Sequence, residues 1–256
     1  MDLLHLETGL RALVFTGVRV SGLMVFSPFL GSLSTPMPVK AGLTLAVTGL
    51  LFRLHRAPAL PEGLLACAGI VLAEFGVGLV LGLTLNFIFD AVEFAGQMVG
   101  MQMGFSLVNI IDPQTQVDTP VLSIFHQLIT LLIFLQFNVH HWLLRGLGKS
   151  FAYLPAGSVA WLETGGPALL RGAAGIGMVG VQMAAPVLLA TMVADITLGF
   201  LGKASPQLPV LFFGLSIKSV LSLLVMIAAV VFWPRTLERH FMEAVVAGER
   251  VLQLTR

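Results

Sequence analysis

The sequence predicts an all-α fold, that of a polytopic integral membrane protein. Three observations lead there. First, 57% of the residues are hydrophobic and 11% charged, with a mean hydropathy of +0.95, whereas a typical soluble domain carries about 25% charge. Second, six apolar segments read as long enough to span, over about residues 10–30, 39–54, 64–103, 121–137, 172–202 and 210–233. Third, glycines recur at four-residue spacing, in Gly78 and Gly82 and again in Gly96, Gly100 and Gly104, which lets another helix backbone approach closely. Residues 1–256 read as one membrane domain, with a loop over 104–120 and an amphipathic tail over 235–256.

The N-terminus, MDLLHLETGLRALVF, has acidic residues ahead of its apolar run and no evident small-residue cleavage site, so the first segment reads as a retained anchor. The turn Ser34-Thr35-Pro36-Met37-Pro38 leads to the second, after which Arg53, His55 and Arg56 form a basic connection. The third stays helix-compatible for about 60 Å, at ~1.5 Å per residue, so it must bend, break or project beyond the lipid. The fourth ends at Asn138, His140, His141 and Trp142, and a connection bearing Arg145, Lys149 and Arg171 leads to the fifth. A further turn, Ser205 to Pro209, introduces the sixth. In the tail, Leu237, Phe241 and Val245 recur every four residues among charges, the pattern of an amphipathic helix on the membrane or on a partner.

Loop charges give an orientation. With a cytoplasmic N-terminus, Arg53, Arg56, Arg145, Lys149, Arg171 and the basic tail share the cytoplasmic side, and Lys40 and Lys203 the other. Trp142, Trp161 and Trp233 would mark that cytoplasmic interface. A formal net charge of +1 leaves no basic footprint for nucleic acid. Cys67 is the one cysteine, which excludes a disulfide framework within the chain and a cysteine-based metal site. The chain has no GxGxxG, Walker, HExxH or GxSxG motif. Adjacent His140 and His141 would point about 100° apart on a helix, poor geometry for a metal. No catalytic, cofactor or metal site is expected, and the chain does not read as an enzyme.

Ionisable groups within apolar segments are costly and need partners. Counted from the same side, Arg19 and Glu74 reach similar depths, and so do Asp195 and Lys218 counted from the other, at roughly 10–12 Å. Buried ion pairs that fix helix register are the expected role, with a proton relay as the alternative. Asp90 and Glu93 fall where the third helix should leave the hydrocarbon, so solvent or a lumen would satisfy them.

The stretch Gly96 to Pro120 combines bare glycines with Gln97, Met98, Met101, Gln102 and Met103, and then with an apolar run, Phe105 to Ile111, closed by Asp112-Pro113. Thioethers fill irregular gaps, and the proline ends any helix. An ordinary solvated loop is one reading. The other is a segment held at membrane depth inside a protein assembly, which covers Phe105, Leu107, Val108, Ile110 and Ile111.

Blocks along nearly the whole chain stand in a familiar order. They are Arg19 and Ser27-Pro28, Pro38-Val39-Lys40, Gly78 with Gly82, Gly100-Met101-Gln102-Met103-Gly104, Asp112-Pro113 and Pro120-Val121-Leu122. Phe137-Asn138 with His140 and Trp142, Ser150-Phe151, Leu154-Pro155 with Gly157, Pro186, Pro206-Gln207-Leu208 and Gly214 follow. Together they resemble the FliR family, flagellar members of the type III secretion export gate whose injectisome counterparts are the SctT proteins. The resemblance implies a bacterial inner-membrane protein at the flagellar basal body that assembles with FliP and FliQ into a gate, with FlhB docking on it, and passes unfolded flagellar proteins. It implies that Phe105, Ser106, Leu107, Val108, Asn109, Ile110 and Ile111 form a channel plug, with Asp112 and Pro113 fixing its exit. Positions often aromatic in relatives hold Leu107 and Ile110 here, which makes the seal aliphatic apart from Phe105. It also implies inverted hairpins sheltered by partner subunits, in place of six simple spans. On that reading the plug excludes water and ions by dewetting, and Gly96, Met98, Gly100, Met101, Met103 and Gly104 supply close packing and a deformable gasket. The alternative on residues alone is a small-solute or proton-coupled secondary transporter using Glu74, Asp195 and Lys218, although the internal repeats usual in such folds are not evident.

Overall fold

The computed structural model describes residues 2–28, 31, 35–52, 63–104, 121–155, 161–205, 207 and 210–253. Among them are eight helices: α1 Asp2–Phe26, α2 Met37–Leu51, α3 Leu64–Gln102, α4 Val121–Gln136, α5 Val139–Tyr153, α6 Trp161–Ala204, α7 Val210–Val230 and α8 Trp233–Gln253. No strand occurs among the described residues, so the all-α membrane fold expected from composition is the fold found.

The described residues hold fewer spans than the six expected. Among them four stretches are long and apolar enough to cross a membrane: Glu7–Phe26, Leu64–Gln102, Leu169–Ala204 and Phe213–Val230. The pair α4–α5, bent by 65°, makes a fifth if it counts as one span. The second expected span, α2, has 15 residues, about 22 Å at ~1.5 Å per residue, short of a hydrocarbon core of about 30 Å. Conversely, α3 runs unbroken for 39 residues and α6 for 44, both longer than one crossing needs. The fourth segment, read as ending in a connection, instead turns at Asn138, whose φ of 55° is left-handed, and resumes as α5. Asn tolerates that conformation, and its carbonyl accepts the first hydrogen bonds of α5, from the amides of His141 and Trp142.

The chain packs as two compact units: one comprises Met1–Ile88, Phe134–Ala174 and His240–Arg256, the other Phe89–Ile133 and Gly175–Arg239. In the first unit α1 and α3 meet backbone to backbone. A Cβ on Gly78 would lie 2.0 Å from the Arg19 carbonyl oxygen, and one on Gly22 would lie 2.2 Å from that of Phe75. Helix association in lipid lacks the hydrophobic push that operates in water, so such close approach carries much of the packing. Around it Val20, Leu23, Val77, Leu81 and Leu85 are buried. The tail helix α8 covers its apolar side with the chain's own residues. Phe241 and Leu252 are fully buried in this unit, as is Leu237 in the part of the helix that belongs to the second, and the Phe241 ring meets that of Phe134 edge to face at 5.6 Å. The apolar row expected to lie on lipid or a partner is therefore occupied. Trp233, expected at an interface, is buried as well.

In the second unit the same device joins other helices. A Cβ on Gly96 of α3 would sit 2.7 Å from the Cα of Ser123 in α4, and one on Gly180 of α6 would sit 2.8 Å from the Ala91 carbonyl oxygen. Ser123 Oγ donates to the Glu93 carbonyl at 3.3 Å, tying α4 to α3 where the glycine leaves room.

Candidate functional site

Two polar constellations stand out in a chain this apolar, one in each unit. The first is built on Arg19, whose side chain and that of Glu74 are each 1% exposed. Arg19 Nε donates to Glu74 Oε2 at 2.7 Å, Nη1 to Ser150 Oγ at 3.0 Å and Nη2 to the Leu154 carbonyl at 3.1 Å. The guanidinium carbon lies 4.0 Å from the centre of the Phe151 ring, so charge, donors and planar face all have partners. Ser150 Oγ in turn donates to the Leu147 carbonyl at 2.7 Å. Sequence depth alone pointed to Glu74. Ser150, Phe151 and Leu154 were not foreseen as its companions, although a guanidinium with five donors cannot be satisfied by one carboxylate, and that surplus was the available signal.

The second constellation surrounds the C-terminal end of α3. Lys218 Nζ lies 2.8 and 2.9 Å from the two carboxylate oxygens of Asp195, and 3.4 Å from Gln102 Oε1. Ser219 Oγ is 2.8 Å from the Met103 carbonyl and 2.9 Å from that of Leu215; its one proton serves either. Gly104 then turns with φ +85°, and a Cβ there would lie 2.2 Å from Leu215 Cδ1. The last turn of α3 is thus held by α7, and through Lys218 by α6. Gln102 was named from sequence only as part of the glycine and methionine stretch, not as a partner of Lys218, and Ser219 was not named. Gly96, Gly100 and Met103 are buried and Met98 is half-buried, whereas Met101 is exposed. Glu93 takes two amide donors, Gln97 Nε2 at 3.3 Å and Gln127 Nε2 at 2.6 Å, in place of the solvent or lumen expected for it. Phe105, Ser106, Leu107, Val108, Asn109, Ile110, Ile111, Asp112 and Pro113 lie outside the described residues.

Gly104 offers a direct check. Gly104→Ala forces an L residue into the left-handed region and presses on Leu215, an expected cost of about 1–2 kcal/mol. Adding Leu215→Ala should return only the steric part, so the double variant still melts below Leu215→Ala alone. Equal melting temperatures for those two proteins would remove the backbone argument.

Searching for metal ligands among the described residues finds no group of three or more His, Cys, Asp or Glu side chains able to hold an ion. The two constellations fix helices to one another, and the second holds α3 as far as Gly104.

Comparison with known proteins gives one consistent answer. The family model described as bacterial export proteins, family 1, matches residues 10–244. The chain is 30% identical over 211 residues to the flagellar biosynthetic protein FliR of Escherichia coli (strain K12), covering 82% of this chain and 81% of that protein. It is 30% identical over 223 residues to the FliR of Bacillus subtilis (strain 168), covering 84% and 85% respectively. Against the FliR of Aquifex aeolicus (strain VF5) the identity is 25% over 255 residues, nearly the full length of both.

Proposed function

We propose, because the chain belongs to the FliR family within family 1 of the bacterial export proteins, that it is a membrane component of the flagellar export apparatus. In finer terms it is a subunit of the gate that conducts unfolded flagellar proteins across the bacterial inner membrane at the basal body. FliP and FliQ assemble with it, FlhB docks on the assembly, and the apolar run 105–111 closes the channel. The chain acts by position and performs no covalent step.

The observation that carries this reading is the fastening of the α3 terminus. Lys218 lies about 12 Å from the start of α7 at ~1.5 Å per residue, and α7 is about one hydrocarbon core long. The tie to Gln102 and the tie from Ser219 to Met103 hold the last turn of α3 beside the middle of α7, which supports a plug that begins at membrane depth. Non-helical backbone is tolerated there where protein or a water-filled cavity surrounds it. Apolar side chains in such a lumen exclude ions by dewetting. Displacing them costs about 1.5–3 kcal/mol for each large side chain, an amount an entering substrate can supply.

The charges that a proton-coupled transporter would use are engaged with one another, Glu74 with Arg19 and Asp195 with Lys218, which supports structural roles for them. The direct test is electrical. With Leu107 and Ile110 both changed to glycine, the assembled complex in a planar bilayer should pass ions at several times the wild-type conductance. A mutant complex as tight as wild type would put the seal elsewhere.

A further inference from the structure

We infer that the face of α6 and α7 around Asp195 is a docking surface for a transmembrane helix of another chain, one that presents a neutral amide or hydroxyl donor to the Asp195 carboxylate. This rests on the membrane reading above and deepens it by naming a surface and the chemistry of its partner.

Three observations carry it. Asp195 is 51% exposed although Lys218 holds both its oxygens, and it stands among exposed Met192, Val193, Ile196 and Phe200. At the depth fixed by α7, acyl chains offer no hydrogen-bond donor, and a half-exposed carboxylate facing them would be costly. Protein or a water-filled lumen must cover it, and the exposed Met192, Val193, Ile196 and Phe200 around it suit protein, not water.

Charge then narrows the occupant. Lys218 is only 16% exposed, and its ammonium reaches Asp195 Oδ1, Asp195 Oδ2 and Gln102 Oε1, one acceptor for each of its three donors. The pair is already neutral, so an incoming Lys or Arg would leave an excess positive charge in a medium of low dielectric. Asn, Gln, Ser or Thr supplies a donor without that excess. Gly199 provides the room: it lies one turn beyond Asp195, and a Cβ built on it meets nothing within 4 Å. A partner helix can bring its backbone close there, the geometry that small residues permit in membranes.

The experiment places a benzophenone side chain at Ile196 in the complex purified from its own membrane, then identifies the crosslinked species by mass spectrometry. The expected product is a membrane segment of a different chain with Asn, Gln, Ser or Thr within a turn of the crosslink. A second copy of this chain, lipid adducts alone, or a segment whose nearest polar residue is Lys or Arg would overturn the inference. A second variant guards against misfolding. Gly199→Leu starts from a position where a Cβ meets nothing within 4 Å, so it should not lower the melting temperature of the isolated chain, while lowering the hetero-complex on the order of tenfold by native mass spectrometry. Gly49→Leu adds the same bulk at an equally open position on α2 and should leave the complex at its wild-type level. Equal loss, or no loss, in both variants refutes the surface. Conductance separates the two ideas: full assembly of Gly199→Leu sinks the surface and leaves the gate standing, whereas a wild-type complex open to ions sinks the gate and leaves the surface.

Discussion

Replacing Glu74 with alanine is expected to destabilise the protein by about 3–5 kcal/mol, because the change strands a buried guanidinium whose main counter-charge is gone. Water cannot compensate: both side chains are buried, and the remaining partners, Ser150 Oγ and the Leu154 carbonyl, are neutral acceptors. Every ~1.4 kcal/mol is a factor of ten, so the ratio of folded to unfolded protein falls by a hundredfold or more. Thermal unfolding in detergent reads this directly. The sharper comparison is a double variant, Arg19→Met with Glu74→Leu, which removes both charges and fills the space with apolar atoms. It should melt above either single variant, since a desolvated pair is often replaceable but half of one is not. If Glu74→Ala melted within ~2 °C of wild type, the Arg19 constellation would have no structural role.

The next largest effect is expected from Gly78→Leu. Its Cβ would meet the Arg19 carbonyl oxygen at 2.0 Å and the Leu23 amide nitrogen at 2.7 Å, and both are backbone atoms that no rotamer change can move. α1 and α3 must separate, and the separation also pulls Arg19 from Glu74. Overpacking alone costs about 1–3 kcal/mol, and losing the ion-pair geometry adds to it, so little folded protein should remain. Gly69→Leu on the same helix is the control, because a Cβ there meets nothing within 4 Å. Resistance to trypsin in membranes should be lost for Gly78→Leu and kept for Gly69→Leu. A protease-resistant Gly78→Leu protein would show that the two helices do not need this contact.

How much of this was legible before the structure depends on the physics behind each feature. Pairing of Arg19 with Glu74 could be read because depth in a helix is a simple count, and a charge in lipid demands a partner. Their companions Ser150, Phe151 and Leu154 could not, since they belong to a stretch whose His140, His141, Trp142, Arg145 and Lys149 give it the look of a polar connection. Amphipathic α5 nevertheless buries Leu143, Leu147, Ser150 and Phe151 on one side. The start of α6 was hidden by Gly165, Gly166 and Pro167, residues that weaken a helix locally without ending this one. Lys218 and Asp195 were matched by depth, but the reach to Gln102 was invisible because it joins positions 116 residues apart. The glycines of α3 were recognised as small. Which helix would come close to each was not, because spacing marks a bare face and carries no name for its neighbour.

Asn138 separates α4 from α5 in a particular way. Few residues occupy the left-handed region cheaply, and asparagine is one of them, so the break in the helix at residue 138 is favoured by the local main chain itself. A synthetic peptide of residues 121–153 in micelles should keep that break, with a nuclear Overhauser pattern interrupted at one residue. Valine in its place should blur the interruption into a straighter, more mobile rod.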